Sequence, residues 1–152
     1  MISGKTRLFA ILAHPCGHVR TPQALNALFA EKGIDAVMTA YDVAPEDIAE
    51  VVGALRRIRN LDGLVITVPH KSAMMALCDE VSTRARVAGA VNVVRRTADG
   101  RLSGDLLDGI GFVTGLRQGG HSVAGRNVYM VGAGGAASAI AFALAAEGVG
   151  RL

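Results

Sequence analysis

The chain has 152 residues and a formal net charge of +3; 51% of its residues are hydrophobic and 19% charged. That length allows one medium domain or two small ones, and that composition buries a core and excludes a disordered chain. Its Lys and Arg residues are scattered, which argues against a nucleic-acid protein built on a basic stripe, and no segment approaches the ~20 apolar residues that span a bilayer.

The first expected element is a buried strand, Arg7 to Ala13. Basic residues followed by an apolar run look like a secretion signal, but Leu8 to Ala13 is too short for one and ends in His14-Pro15. The next stretch, AHPCGHVRTP, carries His14, Cys16 and His18 at alternate positions, which an extended chain would point the same way. Three ligands without a fourth make an incomplete metal set, so no metal site is expected, and Cys16 reads as an ordinary buried thiol. Cys16 and Cys78 are the two cysteines and form no CxxC. Neither a disulfide framework nor a zinc site follows, and a reducing cytoplasm is the expected compartment.

Thr21-Pro22 opens a helix through about Lys32, with Gly33 stopping it. Asp35 to Val43 reads as the second strand. Ala44 to Asn60 is the clearest helix: Pro45 fits the first turn, Glu46 and Asp47 suit its positive end, and Arg56, Arg57 and Arg59 suit the other. Gly63 to Val68 is a third strand, apolar and β-branched enough to be buried on both faces. A short helix is expected over Lys71 to Leu77. Ala90 to Arg96 and Arg101 to Gly104 flank Ala98-Asp99-Gly100 as a hairpin. Asp108 to Arg117 is helical, Arg126 to Val131 a strand, and Gly135 to Ala146 an Ala-rich helix. This alternation implies an α/β fold with a largely parallel sheet and a soft boundary over residues 104–124, where glycine is dense.

The strongest single motif is VYMVGAGGAASAIAFALA, a strand running into Gly132-Ala133-Gly134-Gly135-Ala136-Ala137 and then a helix. This is the GxGxx[G/A] arrangement of dinucleotide-binding folds: Gly132 permits the tight turn, Gly134 lets the backbone approach a pyrophosphate, and small Ala137 allows close helix–strand packing. A merely structural glycine turn is the competing reading. The ribose-reading residue comes ~20 residues after the glycines, and the chain stops at Leu152, before it. We expect the natural protein to be longer.

GLVITVPHK, GAVNVV, DGRLSGDLLDGIGF and VGAGGAASAIAFALA, in that order and across nearly the whole chain, closely resemble the shikimate dehydrogenase family. The resemblance implies an N-terminal substrate-binding α/β domain with a mainly parallel sheet, here 1–104, a connecting helix and loop, 105–124, and the first βα unit of a Rossmann nucleotide-binding domain, 125–152, apparently truncated. It implies reversible hydride transfer between NADP(H), with NAD as the other option, and shikimate, quinate or a related cyclic hydroxy acid, in a cleft between domains. It also allows a homodimer; no nucleic-acid or membrane partner is expected.

The family's catalytic lysine and aspartate match Lys71 and Asp108. The chemistry suits such a pair, because oxidising an alcohol sends a proton to a base, and a carboxylate beside a lysine amine orients it and tunes its charge. Without the motifs, Lys71 would read as a solvated lysine and Asp108 as a helix cap. Thr67 and Asn92 match polar positions that bind the substrate; a satisfied core hydroxyl and a side-chain bond to a turn are their structural alternatives. Gly132, Ala133, Gly134, Gly135 and Ala136 match the cofactor loop.

Aligned on Pro15, His18, Pro22 and Asn26, the family's two carboxylate-binding serines become Val19 and Thr21, of which Thr21 keeps a hydroxyl. An Asn becomes Val65, and an Asn-Thr pair becomes Leu106-Leu107. Losing polar groups around a polar substrate shifts selectivity by orders of magnitude. The resemblance therefore implies a dehydrogenase with an altered, less polar substrate preference, and Arg20 as a weaker candidate for a replacement carboxylate contact. The competing class is a non-catalytic ligand- or nucleotide-binding relative of the same fold.

Overall fold

A computed structural model describes residues 2–152. Strand β1 (Arg7–Ala13) leads through helix α1 (Thr21–Glu31) to β2 (Ala36–Asp42). A single 3-10 turn (Pro45–Asp47) enters α2 (Ile48–Leu55), followed by β3 (Leu61–Ile66) and α3 (Met74–Leu77). Then come β4 (Glu80–Val81), α4 (Thr83–Ala88), β5 (Val93–Arg96), β6 (Leu102–Asp105), α5 (Asp108–Gln118) and α6 (Gly135–Ala146). The six strands form one sheet in the order β2-β1-β3-β5-β6-β4. β1 runs parallel to both β2 and β3, and β4 parallel to β6, while β5 is antiparallel to its two neighbours.

The strands are apolar enough to be covered on both faces. One face carries Ala10, Leu12, Leu64, Ile66 and Val94, packed in one cluster with Ile48, Val52 and Leu55 of α2. Each leucine, isoleucine or valine among them contributes ~1.5–3 kcal/mol when taken from water. On the other side Phe9 of β1 meets Phe29 of α1, ring centroids 5.5 Å apart. Asn26 locks α1 to the sheet edge: its Nδ2 donates to the Met38 carbonyl at 2.9 Å, and its Oδ1 accepts the Met38 N–H at 2.8 Å.

Several expected boundaries move, each for a local reason. The long helix from Ala44 begins as a 3-10 turn and ends at Leu55. Its last amides turn back three residues, Arg57 N–H to Ala54 and Ile58 N–H to Leu55, so the three arginines lie at or beyond its end. Arg56 instead grips Asp79 at 2.8 Å and the Leu77 carbonyl at 3.0 Å. The helix expected from Lys71 begins at Met74, which leaves Lys71 in a turn. Asn92 precedes β5, although its N–H and carbonyl still bond Asp105 and Ile66 in the manner of a ladder. Two elements, β4 and α4, were not expected. Ser82 caps α4 by accepting the Ala85 N–H, and Gly89 closes it with φ +67°; an Ser cap and a terminal Gly were the readable signals.

The strand expected over Arg126 to Val131 is the main correction. Only one isolated bridge forms there, Asn127 to Arg151, with another just before it, Ala124 to Val149, and Tyr129 is 92% exposed. A strand needs a neighbour to take its alternate amides, and none of the six strands lies beside this segment.

Candidate active site

The sheet places a crevice where the chemistry collects. From β1 the chain crosses to β2 on one side and returns to β3 on the other, so the connections diverge at the carboxyl ends of β1 and β3. Ligands of α/β sheets bind at such a switch point. The two loops leaving it are tied together: the His14 N–H donates to the Val68 carbonyl at 3.1 Å, and the Thr67 N–H to Leu12 at 3.1 Å.

The loop after β3 carries Lys71, and His70 anchors it from behind. His70 is buried, and its Nε2 donates to the Val43 carbonyl at 2.8 Å. Its N–H returns to Thr67 and its carbonyl accepts from Met74. The sequence reading missed this anchor, although a histidine next to the lysine in VPHK was the available signal. The Lys71 carbonyl accepts the Val91 N–H at 2.9 Å, which brings the segment before β5 alongside.

Three expected residues meet directly. Lys71 Nζ lies 2.5 Å from Asp108 Oδ2. Asn92 Nδ2 donates to the other oxygen, Oδ1, at 2.7 Å, while Asn92 Oδ1 accepts the Leu107 N–H at 2.9 Å. Both carboxylate oxygens are therefore engaged, and the pair is only partly exposed: 17% of the Lys71 side chain and 23% of the Asp108 side chain. Thr67 directly follows β3, and Thr21 begins α1; neither makes a side-chain hydrogen bond among the described residues.

Lys71 lines a cleft of about 650 Å³. Val68, Pro69 and Phe112 form its apolar wall, and Gly134, Gly135 and Ala136 at the start of α6 face it. Gly132, in the same loop, adopts φ +115°, a conformation L residues rarely take. Gly132 and Ala133 are exposed in the loop beside the cleft.

The stretch His14 to His18 is bent and turned, not extended, with the Val19 N–H closing on Cys16 at 3.1 Å. The three side chains thus lose the common face that a strand would give them. His14 Nδ1 instead pairs with Asp42 Oδ1 at 2.7 Å, and the Cys16 N–H donates to Asp42 Oδ2. The His14 ring and then the Cys16 N–H hold the Asp42 carboxyl below its usual range. Of the four apolar replacements, Leu106 is buried in the core, while Leu107 is partly exposed and lends only its N–H to Asn92.

The family model of the shikimate dehydrogenase substrate binding domain matches residues 11–94. A shikimate dehydrogenase (NADP(+)) of Symbiobacterium thermophilum is 43% identical over 98% of this chain and 50% of its own length. A solved shikimate 5-dehydrogenase of Listeria monocytogenes, in complex with shikimate and NAD, superposes with a TM-score of 0.90 at 36% identity, over 97% of this chain and 50% of that one. A 5-ketofructose reductase of a Gluconobacter species superposes with a TM-score of 0.87 at 33% identity, over 97% and 52%. The chain spans about half the length of these relatives. With a family model covering more than half of its residues, on a fold that superposes on solved members, the chain belongs to the shikimate dehydrogenase family.

Proposed function

We propose that the protein is an oxidoreductase of the shikimate 5-dehydrogenase type, interconverting the hydroxyl and ketone of shikimate, quinate or a related cyclic hydroxy acid. The observation that carries this reading is the Lys71–Asp108 pair, 2.5 Å apart, at a cleft shared with the glycine loop. On this reading residues 1–104 bind substrate, 105–124 connect, and 125–152 open the nucleotide-binding unit.

The loop suits a dinucleotide. A methyl on Gly134 would stand in open space, so the backbone there is free to be approached, and the N-terminus of α6 carries no side-chain cap. Its unpaired N–H groups and positive helix end favour a pyrophosphate. Gly132, Ala133, Gly134, Gly135 and Ala136 would hold it. NADP is the first choice, after the name of the Symbiobacterium relative, and NAD the second. Bound, the nicotinamide supplies the hydride acceptor or donor. Lys71 exchanges the proton of the reacting hydroxyl. Asp108 accepts hydrogen bonds on both oxygens, from Lys71 and from Asn92, so it orients Lys71 instead of meeting the proton itself. Thr21, Thr67 and Asn92 contribute the polar contacts to the substrate's remaining groups.

Val19 and Leu107 make the substrate end less polar than the family pattern. The Gluconobacter neighbour, named for 5-ketofructose, widens the set of ketones worth testing. The experiment follows nicotinamide absorbance in the full gene product with shikimate and quinate, each with NADP+ and NAD+, and with 5-ketofructose, with NADPH and NADH. Turnover of shikimate supports the reading as stated. Turnover of quinate or 5-ketofructose alone moves the substrate and keeps the chemistry. Binding without turnover on any of them makes the protein a non-catalytic relative.

A further inference from the structure

One helix approaches both members of the Lys71–Asp108 pair without giving either a side chain. At its first residue, a β-carbon on Gly135 would stand 2.9 Å from Cβ of Ala90 and 4.0 Å from Cδ of Lys71. Ala90 precedes Val91, whose N–H bonds the Lys71 carbonyl. Further along α6, Ala139 and Ala143 press on the residue after Asp108. A β-carbon on Gly109 would lie 2.2 Å from the Ala139 carbonyl oxygen and 2.9 Å from Cβ of Ala143. Contacts below 3.0 Å are essentially never made by real β-carbons. Gly111 and Gly115, in the same helix as Gly109, face open space. Among the glycines of α5, only Gly109 meets α6 this closely.

We propose that α6 is the positioning element of this site, and that Gly109 and Gly135 are positioning residues that let it hold Lys71 and Asp108 at hydrogen-bonding distance. The catalytic meaning of this bracing rests on the function proposed above; the bracing itself does not. α6 begins at the glycine loop, so whatever seats on that loop bears on the pair through a rigid helix and not through a flexible side chain. Backbone carbonyl against backbone cannot yield as a side-chain end would, and packed interiors transmit such displacements.

The test uses the full gene product with Gly109→Ala, Gly135→Ala, the double variant Gly135→Ala/Ala90→Gly, and Gly111→Ala as the helix control. The first readout is the rate at which trace acetic anhydride modifies Lys71, read by mass spectrometry, with neither nucleotide nor substrate present. Breaking the charge-assisted hydrogen bond to Asp108 frees the Lys71 amine for the anhydride and should speed its modification about tenfold. That acceleration is expected in Gly109→Ala and Gly135→Ala, with return to the wild-type rate when Ala90→Gly removes the colliding methyl, and no change in Gly111→Ala. The second readout is kinetic and is taken in Gly109→Ala, outside the glycine loop: kcat falls about tenfold while KM for the nucleotide stays within about twofold, the signature of a lost transition-state contact. Should Gly109→Ala fail to fold, the Gly135 pair carries the test alone, since its collision is with one methyl group. Unchanged Lys71 reactivity in the folded single variants, or no rescue by Ala90→Gly, overturns the proposal. A raised nucleotide KM with unchanged kcat and reactivity also overturns it, by confining Gly135 to the loop. A wild-type protein without turnover whose Lys71 reactivity still follows this pattern removes the proposed function and leaves the bracing standing.

Discussion

Lys71 Nζ stands 2.5 Å from Asp108 Oδ2 although 37 positions separate the two residues. The contact unites the turn after β3 with the first residue of α5. Asp108→Asn keeps the shape and removes the charge. Lys71→Ala removes the proton-exchanging group. General acid–base groups contribute about 10²- to 10⁴-fold, so turnover of the accepted substrate should fall within that range in Lys71→Ala, and by about 10²-fold in Asp108→Asn, which releases Lys71 from its position. The pair is partly exposed, so the melting temperature should move by only a few degrees. Steady-state kinetics beside thermal melts check this; normal turnover in Lys71→Ala would remove it from the mechanism.

Asn26 serves the fold. In a parallel ladder the N–H and carbonyl of one residue point the same way, and those of Met38 point out from edge strand β2, where the Asn26 amide takes both. Asn26→Leu keeps size but leaves two part-buried backbone groups without that partner, at a cost of about 2 kcal/mol. Urea unfolding measures it. A loss under about 0.5 kcal/mol, within the range of ordinary surface substitutions, would mean that water replaces the amide.

Asp105 predicts how stability falls in acid. Burial raises its carboxyl, but hydrogen bonds from Arg84 and Ser82, with the Leu106 N–H, outweigh burial and hold it below the usual range. Arg84 Nε lies 2.7 Å and Ser82 Oγ 2.5 Å from Oδ1. A carboxylate depressed in the folded state adds stability above its unfolded value of about 3.9, and that stability is lost as pH falls through the folded value. The wild-type chain should therefore lose more stability between pH about 5 and about 3 than Asp105→Asn does. Equal losses in parallel denaturant titrations would exclude Asp105 as a source. Asp79, lowered by the Leu102 N–H and then by Arg56, acts in the same direction.

Cys78 should be a slow thiol. Burial first, and then the charge of Asp79, push it up to about 11, with Arg56 opposing. The thiolate is the reacting form, so alkylation near pH 8 should be roughly a hundredfold slower than in the urea-unfolded chain. Mass spectrometry after a timed iodoacetamide pulse, resolved for Cys78, gives the ratio. Equal rates would mean that the segment around α3 opens readily.

Local pattern made much of this protein readable. β-branched runs, a proline-led helix start and the Asp-Gly turn placed β1, α1, β2, β5 and β6 to within a few residues, because these signals act through neighbours in the chain. The order of motifs likewise singled out Lys71, Asn92, Asp108 and the glycine loop. Tertiary packing decided the rest. The segment around Tyr129 has the residues of a strand, but a strand exists only when another lies beside it. The alternate histidines of AHPCGHVRTP promised a shared face, and hydrogen bonds to Asp42 and Val68 bent that stretch instead. Leu106 read as a lost pocket group until packing put it in the core. His70 as an anchor and Gly109 and Gly135 as contact points depend on atoms from distant segments, namely a carbonyl at Val43 and the surface of α6. Sequence spacing carries short-range periodicity, whereas these contacts are fixed only when the sheet closes and the helices settle on it.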